Sequence, residues 1–163
     1  MTLVYVELDR CIACFSCQQA CQFHQGSQQN GFSPNIFVHV DMEQRKIFTG
    51  TCLQCESAAC MEVCPGNGIK RDPETAAVVV DREICLFCGL CVEACPYGYM
   101  HLDESIQAAI KCDLCGGNPK CVQVCMAHAL HIGDVKSLAE LKRKHSDAHL
   151  GIRAIPIHKD NDR

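Results

Sequence analysis

Apolar residues along this chain come in short bursts. "LVYVEL" (3–8), "AAVVV" (76–80) and "AAIK" (108–111) each precede a knot of cysteines, and "GIKRD" (68–72), "YMHLD" (99–103) and "ALHIGD" (129–134) each follow one. Runs of this length, alternating or rich in Val and Ile, predict strands rather than helices. Within the knots, each C-x3-C pair has small or apolar neighbours, as in "VEAC" (92–95), which suits one short helical turn. The predicted order is strand, cysteine loop, short helix, strand, repeated four times.

Two stretches interrupt it. "HQGSQQNGFSPN" (24–35) is rich in Gly, Ser, Gln and Asn and predicts a loop. After it Ile36, Val38 and Val40 alternate, and a turn around Glu43 to Arg45 closes a predicted hairpin. Near the end, "SLAELKRKH" (137–145) predicts a helix with Ser137 as N-cap, Glu140 completing a capping box and Lys142 to Lys144 favoured by the C-terminal dipole. "GIRAIPIHKDNDR" (151–163) predicts an extended arm.

Composition explains why the bursts are so short. The chain has 163 residues, no Trp and 6% aromatic residues, but 16 cysteines, so an ordinary core is thin and something else must staple the fold. The start, "MTLVYVELDRC", has no basic region or long apolar run and carries Glu7 and Asp9, unlike a signal peptide. No stretch approaches the roughly 18 apolar residues of a membrane span. A cytoplasmic protein in a reducing compartment is expected, where cysteines bind metal rather than pair as disulfides. The formal charge of −4 gives no reason to expect a nucleic-acid partner.

The cysteines form four quartets with none left over: Cys11, Cys14, Cys17, Cys21; Cys52, Cys55, Cys60, Cys64; Cys85, Cys88, Cys91, Cys95; and Cys112, Cys115, Cys121, Cys125. The first and third are tight, C-x2-C-x2-C-x3-C, while the second and fourth are looser. This alternation, with matching flanks, marks an internal duplication. Zinc takes two C-x2-C knuckles separated by a dozen or more residues, and a third cysteine three residues on crowds a single-ion site. A cubane [4Fe-4S] cluster has room for it, and "CLFCGLCVEACP" (85–96) matches the two-cluster ferredoxin run, whose last cysteine serves the other cluster. A zinc-stabilised interaction module is the alternative of another class. Catalysis at an open iron site would need a missing ligand. His24, His101, His128 and His131 are expected in surface or packing roles, and His145 and His149, at i and i+4, could bind a metal if both lie on one helix face. Lys111 and Lys120 flank the fourth quartet and could raise its cluster's potential. Duplication is satisfied by nested and by adjacent pairing of quartets, so symmetry alone does not choose.

Four quartets in this order, "CxxCExxxC" at 52–60 and "KCDLC" at 111–115, resemble the four-cluster, ferredoxin-like electron-transfer subunits of molybdenum and tungsten oxidoreductases, over residues 3 to about 133. These include small subunits of dimethyl sulfoxide, polysulfide and nitrate reductases and of formate dehydrogenases, with similar proteins serving carbon monoxide dehydrogenase and hydrogenases. The resemblance implies an α+β fold of two pseudo-twofold-related bacterial ferredoxin-like halves around four cubane clusters. The outer half would hold 1–50 and 100–133, the inner half 51–99, and 134–163 the helix and arm. It also implies nested ligand sets: Cys11, Cys14, Cys17 with Cys125 (A); Cys112, Cys115, Cys121 with Cys21 (B); Cys52, Cys55, Cys60 with Cys95 (C); and Cys85, Cys88, Cys91 with Cys64 (D). The implied role is one-electron relay, with no catalytic site, between a large catalytic subunit and a flavin, nicotinamide or ferredoxin partner; self-association is a further expectation. Two departures stand out: the short "GGNPK" insertion in the fourth quartet, and Met126 where Pro commonly follows the last cysteine. The short chain, without a membrane-docking extension, is most similar to the small subunits accompanying tungsten aldehyde oxidoreductases and benzoyl-CoA reductases.

Overall fold

The computed structural model describes residues 2–25 and 33–149, with side chains up to residue 144. Thirteen regular elements follow in order: β1 (Thr2–Val6), α1 (Ser16–His24), β2 (Ile36–Asp41), β3 (Lys46–Thr51), α2 (Ala59–Glu62), β4 (Ile69–Arg71), β5 (Val78–Val80), α3 (Leu90–Ala94), β6 (His101–Asp103), β7 (Ala108–Ile110), α4 (Lys120–Gln123), β8 (Leu130–Asp134) and α5 (Val135–His149). The unit of strand, cysteine loop, helix and strand recurs four times, as β1/α1/β2, β3/α2/β4, β5/α3/β6 and β7/α4/β8. The arm at 151–163 and most of the loop at 24–35 lie outside the described residues.

The strands form four two-stranded antiparallel sheets, β2–β3, β4–β5, β6–β7 and β1–β8. Three are local hairpins joining one unit to the next. The fourth joins the two ends of the repeat, with Val4 opposite Ile132 and Tyr5 opposite His131. Tyr5 stacks on His131 at 5.4 Å across that seam, and His131 Nε2 meets Glu7 Oε2 at 3.2 Å. The four-unit repeat is therefore closed on itself.

One short device makes the turns. Asp41, Asp72 and Asp103, at equal intervals along the chain, stand at strand ends, the first and third as the last strand residue and Asp72 just after Arg71. Their Oδ1 atoms accept backbone N–H bonds from Gln44 (2.8 Å), Thr75 (2.7 Å) and Ser105 (2.9 Å). Arg45, Ala76 and Gln107, each four residues on, take the left-handed conformation (φ 52, 57 and 51°) and turn the chain into the returning strand. Asp134 is the next member of the series, but no hairpin follows it. Its Oδ1 accepts the N–H (2.8 Å) and hydroxyl (2.7 Å) of Ser137 and opens α5 instead. This corrects the expected cap: Asp134 holds the helix start, and Ser137 lies inside its first turn, as a donor.

The core is divided. Val4, Ile36, Ala77, Leu114 and Leu130 pack with Cys17, Cys21, Cys52, Cys112 and Cys121. A second group gathers Ala58, Ile69, Val78, Met100 and Ala109 around Cys91, with Cys60, Cys64, Cys85 and Cys95 against it. Cysteine supplies much of what apolar side chains ordinarily supply. In the described structure α1 packs on α4, and α2 on α3.

Candidate metal centres

The residue before the second cysteine of every quartet is left-handed: Ala13 (φ 51°), Gln54 (53°), Phe87 (53°) and Leu114 (58°). Phe15 and Gly89 repeat this after the second cysteine of the tight quartets (φ 60 and 80°). Left-handed residues at these positions help turn backbone amides to one side, the concave arrangement that suits anionic clusters. A β-branched side chain at these positions would be strained. The third and fourth cysteines then lie in or just after a helix, so they leave the loop one turn apart.

Three cavities of nearly equal size result. Cys11, Cys14, Cys17 and Cys125 line one with about 360 Å³ of open space. Cys52, Cys55, Cys60 and Cys95 line the second, about 380 Å³. Cys64, Cys85, Cys88 and Cys91 line the third, about 360 Å³. The other four, Cys21, Cys112, Cys115 and Cys121, act on one another electrostatically: Cys112 and Cys115 both raise the Cys21 thiol, and Cys112, Cys21 and Cys115 raise that of Cys121. Among the described residues, no three Cys, His, Asp or Glu side chains converge on a point where a single ion would sit.

Burial and hydrogen bonding differ from thiol to thiol. Desolvation pushes Cys17, Cys91 and Cys112 up to about 11 and Cys21 up to about 12, and raises Cys121 as well. Left to themselves these thiols stay protonated at neutral pH, so binding a cationic core must displace their protons. Cys14 is the opposite case. It is exposed, and the Ser16 hydroxyl and N–H lower its pKa. Backbone N–H groups reach sulfur from Asn35 to Cys21 (3.3 Å), Gln54 to Cys52 (3.5 Å), Ala109 to Cys85 (3.4 Å) and Ala129 to Cys125 (3.2 Å). Cys-lined hollows, amides on sulfur and a concave loop fit a [4Fe-4S] cubane.

Residues 43–135 match the family model described as a 4Fe-4S dicluster domain. The chain belongs to that family. The matched span holds the second, third and fourth quartets, and the first lies before it. The chain is 35% identical over 129 residues to the aliphatic sulfonate oxidoreductase, polyferredoxin-like subunit, of Pyrococcus furiosus, covering 75% of this chain and 70% of that one. It is 30% identical over 168 residues to the B subunit of the anaerobic dimethyl sulfoxide reductase of Escherichia coli, covering 88% and 77%. One subunit of the active site complex BamBC of benzoyl coenzyme A reductase overlays 90% of the chain and 89% of its own length, at 18% identity and a TM-score of 0.47. This 4Fe-4S protein is an electron-transfer subunit, and it carries four [4Fe-4S] clusters.

Other candidate residues fall to the sides. His24 and His128 are exposed, and His131 belongs to the β1–β8 seam. His101 packs edge-on to Phe37 at 5.9 Å, and burial holds its imidazole below the usual range. The side chains of His145 and His149 lie outside the described residues. Lys120 is half-buried beside Cys115. Lys111 is 5% exposed and points at the second quartet's loop as well as the fourth's. Sequence pattern alone does not single out Gln54, which is wholly buried: Nε2 donates to Cys112 O (2.8 Å) and Oε1 accepts from Val78 N (2.9 Å). Its position before a second cysteine was the available signal.

Proposed function

We propose that the ligand sets are the nested ones and that the four centres form one line, A–B–C–D, between two protein partners. Each cluster supplies a one-electron redox couple when bound. The observation that carries the reading is the lining of the three cavities, in each of which three cysteines of one quartet meet the last cysteine of another. Cys17 and Cys21 share α1, which links A to B, and Cys60 lies in α2 with Cys64 just after it, which links C to D. Gln54, bonded to Cys112 O, links B to C. The two packed helix pairs and the divided core support a pseudo-twofold of two ferredoxin-like halves, 1–50 with 100–133 and 51–99.

At the two ends of this line stand the two exposed cysteines, Cys14 of set A and Cys88 of set D. Ile12 (62% exposed) and Phe15 surround the first, and Leu86 (65%) and Leu90 the second. These are the ports through which electrons enter and leave. One partner is a large catalytic oxidoreductase subunit, of tungsten- or molybdenum-pterin type, and the other a flavin, nicotinamide or ferredoxin protein, in the cytoplasm. The likeness to a polyferredoxin-like subunit of an oxidoreductase supports the first. No helix among the described residues is long and apolar enough to cross a membrane.

The pairing is tested by Cys21→Ser in the anaerobically purified protein, which should hold about sixteen irons. The replacement should alter the same paramagnetic signal as Cys112→Ser. If it alters the signal affected by Cys11→Ser instead, the nested reading falls. Four zincs in place of iron would remove the relay altogether.

A further inference from the structure

A buried lysine stands where the B and C sets meet. Lys111 is 5% exposed, and its Nζ donates to the backbone oxygens of Val78 and Cys112 (2.8 Å) and to Gln54 Oε1 (3.3 Å). An ammonium has three donors and no acceptor, so three oxygens satisfy it as a cation. None of the described ion pairs includes it, and no carboxylate among the described residues is within salt-bridge reach of its ammonium. A desolvated ammonium without a counter-charge is costly, and three carbonyl dipoles offset only part of that cost.

What else it faces is the cavity of Cys52, Cys55, Cys60 and Cys95, whose wall it forms with Gln54 and Val78. A cubane with four thiolates carries about −2 and gains another negative charge on reduction. Lys120, by contrast, stands half-buried beside Cys115 of the B set.

We propose that Lys111 is the counter-ion of centre C, raising its potential and making the middle of the relay the place where an arriving electron is held. This rests on the ligand set proposed for C. Reduction adds one electron there, with no bond made or broken. Lys111 is a positioning residue. It binds no iron, and Gln54 fixes its head group against the cavity while holding the neighbouring loop through Cys112 O. The effect expected from sequence on the fourth quartet's cluster thus moves chiefly to the second quartet's.

The test is an anaerobic redox titration with dithionite and mediators, followed by paramagnetic resonance, on the full iron-loaded chain. Lys111→Met and Lys111→Gln are compared with Lys111→Arg, and Cys60→Ser and Cys95→Ser mark the signal of centre C. In the two neutral variants that signal should need a potential lower by at least a tenfold change in reduced-to-oxidised ratio, about 59 mV for one electron. The other signals should move less, and Lys111→Arg should restore it. Loss of centre C from the neutral variants with retention in Lys111→Arg also supports the role, because charge is what arginine keeps. An unmoved signal at full iron content overturns it, as does an equal shift of all four, or loss of iron from all three variants. If Cys60→Ser and Cys95→Ser alter different signals, the ligand set fails separately. Lys111 is then judged on the Cys60 signal, since both line one cavity.

Discussion

The outer loops and the central junction of this protein use the same local conformation for opposite ends. At Ala13 and Phe87, the left-handed residue belongs to a tight loop whose next cysteine, Cys14 or Cys88, is exposed. At Gln54 and Leu114 it belongs to a loose loop, and both residues are buried where those loops meet. Spacing accounts for part of the difference. A tight quartet returns to its helix at once and stays at the rim, whereas a loose one has extra residues that let its first C-x2-C turn inward. Side-chain chemistry accounts for the rest. The outer loops carry Ile12, Phe15, Leu86 and Leu90 into solvent, while the junction buries an amide and an ammonium. Apolar groups left in water are available for contact with another protein, and polar groups taken out of water are held by one another.

The sharpest way to break this comparison is to remove one cysteine from each region. Cys112→Ala, in the junction, should cost at least about four irons and broaden thermal unfolding, because that thiol sits in the core as well as in the ligand set proposed for B. Cys14→Ala should cost about one iron and leave the fold intact. Equal damage at both sites, by iron analysis and near-ultraviolet dichroism, would erase the distinction. Next in size, Gln54→Leu should lower stability to denaturant by about 2–4 kcal/mol, since Val78 N–H, Cys112 O and the Lys111 ammonium each lose a buried partner. A change of the same volume at exposed Gln19, on α1, should be close to neutral. Smallest, Ile12→Glu or Leu86→Glu should leave iron, fold and potentials unchanged. One of the two should slow reduction by an added ferredoxin roughly tenfold, the loss of one contact residue, with reduction by dithionite unaffected. If neither slows it, these rims are not where that partner docks.

Much of the fold is legible in the sequence. The hairpin at Ile36 to Thr51 has alternating residues and a polar turn, and it forms with Ile36 opposite Thr51. The fourfold unit was visible because cysteine spacing and apolar bursts repeat together. The helix start was misread by three residues, because a Ser with a Glu three positions on resembles a capping box, while Asp134 looked like the end of a strand. It is both: the strand-ending Asp of each unit accepts N–H bonds from the next residues, whether these turn back or wind on. Lys111 was read as a flanking charge, since one charged residue before a cysteine looks like surface in any linear pattern.

The residues by themselves determined the chemistry: sixteen thiols at spacings that suit cubanes and crowd a single ion, duplicated so that each quartet has a counterpart. Those are local facts, set by how far a few residues of backbone can reach. Two things needed the folded chain. One is the closure of β8 on β1, which brings Cys125 to the cavity of Cys11, Cys14 and Cys17. The other is the meeting of Gln54 with Cys112 and Lys111, which turns an ordinary lysine into a buried charge. Both join residues far apart in sequence, and neither leaves a periodic signal, because a contact made across the core by a single pair of side chains repeats nowhere along the chain.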